Sequence, residues 1–447
     1  MMRVQRRTLL GISAALPIAG MTGAVPVAAK GPILAERPPM GWNSFNSFAT
    51  NIVEAEALET AAIMARELLP FGYDTFTIDH QWYEPKAIGY DVRPKGNPTL
   101  DAHGRLIPAP ARFPSSAGSG SFKPLADAIH KLGLRFGLHL MRGIPRLAVE
   151  RNLPILGTRL RARDIADTSS ICSWNQDMYG VDMRRPGAQA YYDGVFALFA
   201  EWGVDFVKMD DMSRPYDAHA AEIEAAALAI RRSGRPMVLS LSPGETPVIR
   251  AEHVRKHAQM WRISDDFWDE WPLLEAQFVR FENWNPHRRP GGWPDGDMLP
   301  LGRLRLGARD TRFTPDEQRT LMTLWAITRS PLIMGGDLRR LDAATLALLT
   351  NREVIAVNQA SSGNQPHFVE DYTRVWSARA PGGGRYVALF NTGKGARDVG
   401  VELSVLGLAG RARVRVRDLW VGADDGVATG RLVRSLPSHG AGLYWVG

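Results

Sequence analysis

The stretch VDFVKMDDMSRP, residues 204–215, sets Asp210 and Asp211 side by side at the end of an apolar run that reads as a buried strand. Side chains on a strand alternate between its two faces. Val207 and Met209 suit a face covered by helices, which turns Phe206, Lys208 and Asp210 to the opposite side. Asp211 then faces outward or belongs to the loop. A neighbouring ammonium on the same face keeps a carboxylate ionised, the state a nucleophile needs. Asp210 is therefore the candidate nucleophile, and Asp211 reads as a cap for the loop that follows.

The same unit recurs on either side of this strand. Apolar β-type runs at 41–45, 74–80, 135–141, 205–211, 237–242, 259–266, 297–302 and 332–338 alternate with helix-compatible stretches such as EAEALETAAIMARELL and TPDEQRTLMTLWAITRS. The second of these opens with Thr314, Pro315 and Glu317, a good N-cap and first turn. Eight β/α units predict an α/β fold, a (β/α)8 barrel over residues 37–360. A doubly wound sheet would place a Gly-rich phosphate loop after its first strand, and none is present. From 366 to 447, TRVWSARA, RYVALFNT, RVRVRDLW and AGLYWVG alternate in twos between Gly-rich turns, which predicts a C-terminal antiparallel β-sandwich.

Composition narrows the function. Of 447 residues, 45% are hydrophobic and 23% charged, the balance of a soluble globular chain. The net charge of +7 comes mostly from scattered arginines that form no stripe, so a nucleic-acid partner is not expected. The only cysteine, Cys172, excludes an internal disulfide framework and a Cys-rich metal site; no cofactor and no metal are expected. Residues 1–29 read as an export signal: Arg6-Arg7 followed by Thr8-Leu9-Leu10 is similar to a twin-arginine signal, and the segment is too short and too rich in Gly and Ala to span a membrane. The mature protein is expected to be exported, periplasmic or extracellular, and free of the membrane.

A second acidic doublet lies in MWRISDDFWDEW. Ile263 suits the helical side, so Arg262, Ser264 and Asp266 share the inward parity, with Trp268 close enough to desolvate Asp266. Such a carboxyl suits a general acid. Asp79, His139, Asp210, Ser242, Asp266 and Asp337 all fall at or near the C-terminal ends of the expected strands. In a barrel those ends meet at one face, where active sites are built. Any one of them alone reads equally well as a helix cap. Two inward carboxylates at one mouth are what glycoside cleavage uses. Trp42, Trp82, Trp174, Trp261 and Trp293 lie near the motifs and supply faces on which sugar rings stack, although core packing is the plainer reading of each.

The motifs PPMGWNSF, TIDHQW, WGVDFVKMDD, MWRISDDFWDEW, GGWPDGDML, LWAITRSPLIMGGDLR and EVIAVNQ, with RVRDLW in the tail, together resemble the α-galactosidase family, glycoside hydrolase family 27. The resemblance runs from Pro38 to Gln359 and implies a retaining mechanism through a covalent glycosyl-aspartate. It puts the nucleophile at Asp210 and the acid/base at Asp266. For the sugar it implies Trp42 as a stacking platform, Asp79 as the first of two aspartates gripping the 4- and 6-hydroxyls, Lys208 beside the nucleophile, Arg262 before the acid/base, and Asp297 near the site. The chain departs from the family at His80, where the second aspartate usually stands, and at His139, where Tyr is usual. Ser242 replaces a Glu that reads the 2-position, a change also seen in N-acetylgalactosaminidase relatives. Met212 stands where the family has a disulfide cysteine. A long third loop is expected to roof the site, with Arg142, Trp174 and Asn175 as contacts.

The expected substrate is an oligosaccharide or polysaccharide ending in α-galactoside. The alternatives are α-N-acetylgalactosaminide, β-L-arabinopyranoside and α-glucan. Two other classes compete. One is a metal-dependent barrel hydrolase, suggested by His80 and His139, although no His-x-His pair follows the first strand. The other is a carbohydrate-binding protein with a dead site, although both carboxylates are intact.

Overall fold

Eight parallel strands follow one another around the core: β1 (Met40–Asn43), β2 (Thr75–Ile78), β3 (Arg135–Met141), β4 (Phe206–Asp210), β5 (Val238–Leu241), β6 (Met260–Arg262), β7 (Trp293–Asp295) and β8 (Leu332–Met334). The computed structural model describes residues 33–447 apart from 91, 93–95 and 412, with backbone alone at 368 and 369. The expected export signal lies outside the described residues. From β1 to β7 each strand is hydrogen-bonded to the next, and β1 also pairs with β8. Leu299 bridges to Met334 and closes the ring between β7 and β8. The protein is thus a (β/α)8 barrel, wrapped by helices such as Glu54–Glu67, Ala188–Trp202 and Pro315–Thr328. The last begins as its sequence requires: Thr314 accepts from the Glu317 amide at 3.3 Å, and the Glu317 carboxylate accepts from the Thr314 amide at 2.9 Å.

The seventh strand is not where the apolar pattern of 297–302 placed it. Asp297 takes a left-handed backbone, φ 86°, and Pro300 has no N–H to give a ladder. The strand therefore forms upstream at Trp293–Asp295, and only Leu299 of the expected run pairs with a neighbour.

Alternation sorts the side chains of β4. Val207 and Met209 join the large core shared with the helices. Phe206 turns into the barrel and packs with Val238, Met260, Trp293, Met298 and Ile333. That apolar plug fills the N-terminal half of the interior, so it is the upper positions of the same face, Lys208 and Asp210, that reach the mouth.

The third loop is a small folded insert. Its strands Ile144–Pro145, Ala166–Asp167 and Met178–Val181 form a three-stranded sheet, with short helices at Arg146–Glu150 and Ala162–Ile165. It is pinned to the barrel by Arg142, whose guanidinium binds Asp211 at 2.9 Å and Glu222 at 2.7 Å while almost fully buried. Removing one partner of such a buried pair typically costs about 3–5 kcal/mol.

The chain ends in a β-sandwich. One sheet of six strands runs β9 (Ser362–Glu370), β10 (Thr373–Arg379), β11 (Arg385–Asn391), β16 (Ala441–Val446), β13 (Val414–Asp418) and β14 (Ala423–Ala428) in spatial order. A second sheet pairs β12 (Arg397–Glu402) with β15 (Arg431–Leu436). Alternate apolar residues such as Val387, Leu389, Val399, Val401, Val416 and Leu432 fill the space between them. The first strand begins at Ser362, ahead of the expected boundary at 366, because Ser362–Gln365 is polar and carries a register shift that hides its pairing from the sequence pattern. Trp271 of the barrel stacks on His439 of the sandwich with ring centroids 3.7 Å apart.

Candidate active site

At the C-terminal ends of the strands opens a cavity of about 650 Å³, large enough for one sugar ring and part of an aglycone. Asp79, His80, Lys208, Asp210 and Asp266 line it, as the sequence expects, together with Trp174 from the third loop. Its floor includes Met298, the top of the apolar plug.

Asp210 closes β4 with its carboxylate fixed on both oxygens. His139, on the adjacent β3, lies with Nε2 2.8 Å from Oδ2, and the Asp211 amide donates to Oδ1 at 2.9 Å. The register of β3 and β4, which sets His139 opposite Lys208, makes the first contact. Burial pushes the Asp210 carboxyl up, but the His139 hydrogen bond and the charges of His139 and Lys208 overcome it and hold the group below the usual range. His139 is fully buried and lies behind Asp210, so it positions the carboxylate from behind rather than lining the cavity.

Asp79, after β2, accepts from Lys208 Nζ at 2.9 Å and from Asn43 Nδ2 at 2.7 Å. Burial opposes its charge, and Lys208, His139 and Asn43 outweigh that and keep it ionised. Lys208 in turn stays protonated against burial because Asp79 and Asp210 flank it. The buried charges form one compensated chain across three strands, with Lys208 between two carboxylates.

His80 has its tautomer set by the third loop. Asn175 Oδ1 accepts from the Asp177 amide at 2.7 Å, so its Nδ2 is the atom that donates to His80 Nε2 at 2.9 Å. The His80 proton therefore sits on Nδ1, which has no hydrogen-bond partner in the protein. Burial, joined by the neighbouring His139, pushes the imidazole down to about 3, so it is neutral at working pH.

Asp266 reaches the mouth by a different route. Regular β6 ends at Arg262, and the alternation expected to carry on through Ser264 stops there: Ser264 accepts from Gln277 Nε2 at 2.9 Å on the helical side. Asp266 sits on the loop with its side chain 57% exposed and only a 3.3 Å contact to Arg262. Trp268 does not desolvate it; that ring packs against Tyr90 and lies under the Arg305 guanidinium. Arg262 itself is buried and pairs with Asp297 at 2.8 Å. Asp297 also accepts the Phe267 amide at 2.8 Å, which makes it an anchor for the loop carrying Asp266 rather than a residue of the cavity wall.

Other expected contacts lie elsewhere. Trp42 is fully buried, stacked on Phe76 at 4.8 Å with its indole donating to the Gly336 carbonyl, because its register with Phe76 and Met334 turns it toward the helical layer. Trp82, Trp261 and Trp293 are likewise core residues. Ser242 is buried behind Pro243 and Gly244, which line the cavity in its place. Asp337 caps the turn Leu338–Arg340. In the third loop, Arg142 is consumed by Asp211 and Glu222, and Asn175 orients His80.

The apolar platform that Trp42 was expected to give is offered by Phe45, at the start of the short helix Phe45–Phe48, which lines the cavity with Lys208 Nζ 5.7 Å from its ring centre. Tyr90 also lines the wall. Phe45 stands three residues beyond Trp42 in GWNSF, a helical spacing that a strand reading of 41–45 conceals. Asp211 does not cap its loop; at φ 59° it turns its carboxylate to Arg142 at the cavity edge. Among the described residues, the one cluster of three or more metal-ligating side chains is Glu224, His253 and His257, away from this cavity.

Residues 176–360 match the family model described as α-galactosidase A, and 370–446 match that of the α-galactosidase C-terminal β-sandwich domain. The chain is 48% identical to a family 27 β-L-arabinopyranosidase of Geobacillus stearothermophilus, with a TM-score of 0.90 over 92% of this chain and 97% of that one. It is 42% identical to a putative α-N-acetylgalactosaminidase of Bacillus halodurans, with a TM-score of 0.82 over 93% and 100% of the two chains. An α-galactosidase of Arabidopsis thaliana is 30% identical over 92% of this chain and 82% of its own. With its two domains and nearly its whole described length shared with these relatives, the protein is a glycoside hydrolase and belongs to the α-galactosidase family, glycoside hydrolase family 27.

Proposed function

We propose that the protein is an exported, retaining exo-glycosidase that removes terminal β-L-arabinopyranose. Asp210 attacks the anomeric carbon while Asp266 gives a proton to the departing oxygen. A water deprotonated by Asp266 then releases the sugar from Asp210. The two environments suit the two roles. A nucleophile gains from an ionised, rigidly held carboxylate. The acid/base gains from contact with solvent, because the water that attacks the intermediate returns the proton it gave to the leaving group.

The sugar assignment rests on His80. β-L-Arabinopyranose has the ring configuration of α-D-galactopyranose but lacks the C6 hydroxymethyl group carried on C5. Where the family resemblance places the second of two aspartates that grip the 4- and 6-hydroxyls, this chain has a buried, neutral imidazole whose free Nδ1–H only donates. An aspartate accepts the proton of a 6-hydroxyl and His80 does not, so a 6-hydroxyl loses that acceptor here, whereas a sugar without one gives up nothing. The 48% identical relative, described as a β-L-arabinopyranosidase, supports the same choice over the α-galactoside favoured by sequence.

The experiment is a comparison of kcat/KM on nitrophenyl β-L-arabinopyranoside, α-D-galactopyranoside and α-N-acetylgalactosaminide. The arabinoside is expected to lead by about tenfold or more. A galactoside cleaved as well or better would overturn the sugar assignment.

A further inference from the structure

On the outer helical layer, Glu224 of the helix Tyr216–Ser233 meets His253 and His257 of the helix Ala251–His257. None of the three lines the catalytic cavity. His253 and His257 are one helical turn apart and share a face, with ring centroids 4.7 Å apart. One ligand atom from each of the three side chains lies within 4.8 Å of the other two. Glu224 Oε1 is 3.0 Å from His253 Nε2, and Tyr216 Oη is 2.8 Å from His253 Nδ1. Nδ1 of His257 is buried and has no hydrogen-bond partner.

We propose that Glu224, His253 and His257 form a binding site for a borderline divalent transition ion, with Zn²⁺ as its type, that clips these two helices together. The donor set, two imidazoles and one carboxylate, favours such an ion over Mg²⁺ or Ca²⁺, which prefer all-oxygen shells. Tetrahedral Zn²⁺ brings its ligand atoms to about 3.4 Å from one another. Glu224 and His253 are already closer than that, so the contraction falls mainly on His257, a partly exposed side chain. Binding replaces the proton between His253 Nε2 and Glu224 by the metal. The His253 proton moves to Nδ1 and is donated to Tyr216 Oη, the outer hydrogen bond that orients a ligating imidazole. Water completes the shell. Lys256 and Arg231 lie close enough to repel the ion, which makes the site a chelate of modest affinity rather than a prerequisite of folding.

The test uses the full chain without an affinity tag, titrated with ZnCl₂ near neutral pH by calorimetry, with thermal unfolding followed in parallel. The expected result is one Zn²⁺ per chain and a rise in Tm that a chelator reverses. His253→Gln and His257→Gln should each weaken binding by about tenfold or more. Both variants should keep the kcat of the wild type, since neither residue touches the cavity. No binding by the wild type at millimolar Zn²⁺ would mean that the three groups only hydrogen-bond to one another, which overturns the proposal. Stoichiometric binding that survives in the double variant places the ion elsewhere and overturns it equally.

Discussion

Asp210 and Asp266 stand at the same barrel mouth and are held in opposite ways. Asp210 ends a regular strand, with a side chain 9% exposed and both oxygens hydrogen-bonded. Asp266 rides on a loop beyond the end of its strand, 57% exposed, with one long contact to Arg262. Under the proposed mechanism the contrast teaches what each task requires of the fold. Attack on carbon needs a carboxylate ionised and aimed in advance, which a strand and its register deliver. Proton transfer in both directions needs access to water and some travel, which a loop delivers and a strand does not.

The strongest test of that contrast is the acidic doublet that ends β4. Asp210→Asn should lower kcat by about 10⁴-fold or more, because the proposed nucleophile is gone while the amide fills the same space. Asp211→Asn should lower it by about tenfold or less. Asn tolerates the left-handed backbone of this position, and the amide N–H that binds Asp210 remains. Arg142 also keeps its bond to Glu222. Steady-state rates on an aryl glycoside, with circular dichroism to verify folding, measure both variants. A collapse of equal size in the two would show that the doublet acts as a unit and that β4 does not single out Asp210.

Next in size is Asp266→Asn. On substrates with poor leaving groups the loss should be about 10²–10⁴-fold. With nitrophenol as the leaving group little protonation is needed, so the loss in the first step should be much smaller. A series of aryl glycosides of graded leaving-group pKa reads this as a slope that steepens in the variant. Parallel lines would remove Asp266 from the acid role and with it the pairing of a strand-held and a loop-borne carboxylate.

The same contrast explains how much of the molecule was legible in the sequence. Where a strand is regular, alternation sorts the side chains, as in β4, and eight such strands gave the barrel. Where the chain leaves regular structure, alternation carries no information. Alternation turns Ser264 inward, yet it bonds to the helical side, and the apolar pattern puts the seventh strand on a segment that Asp297 and Pro300 prevent from pairing. Trp42 illustrates a third limit. Its residue type suggested sugar stacking, but its register with Phe76 sends it into the core and leaves Phe45 at the cavity. Nothing local in the sequence marks the partnership of Asn175 with His80, or of Arg142 with Asp211 and Glu222. These contacts join segments remote in the chain through a folded insert that has no strong pattern of its own.

The finest adjustment of the fixed carboxylate comes from His139. Burial pushes the Asp210 carboxyl up, and the hydrogen bond and charge of His139, with the charge of Lys208, bring it below its ordinary value. In the proposed mechanism Asp210 attacks only when ionised, so the acid limb of kcat/KM against pH should lie low in the wild type. His139→Phe removes the donor and leaves the burial, so the Asp210 pKa should rise and the acid limb should move to higher pH. Above that limb the carboxylate is ionised in both proteins, and the plateau should lose about tenfold or less. His139→Tyr offers a hydroxyl donor in place of Nε2, and its limb should fall between those of the wild type and the Phe variant. A limb that stays in place in His139→Phe would mean that it reports another group, and that strand register alone, without the imidazole behind it, keeps Asp210 ready to attack.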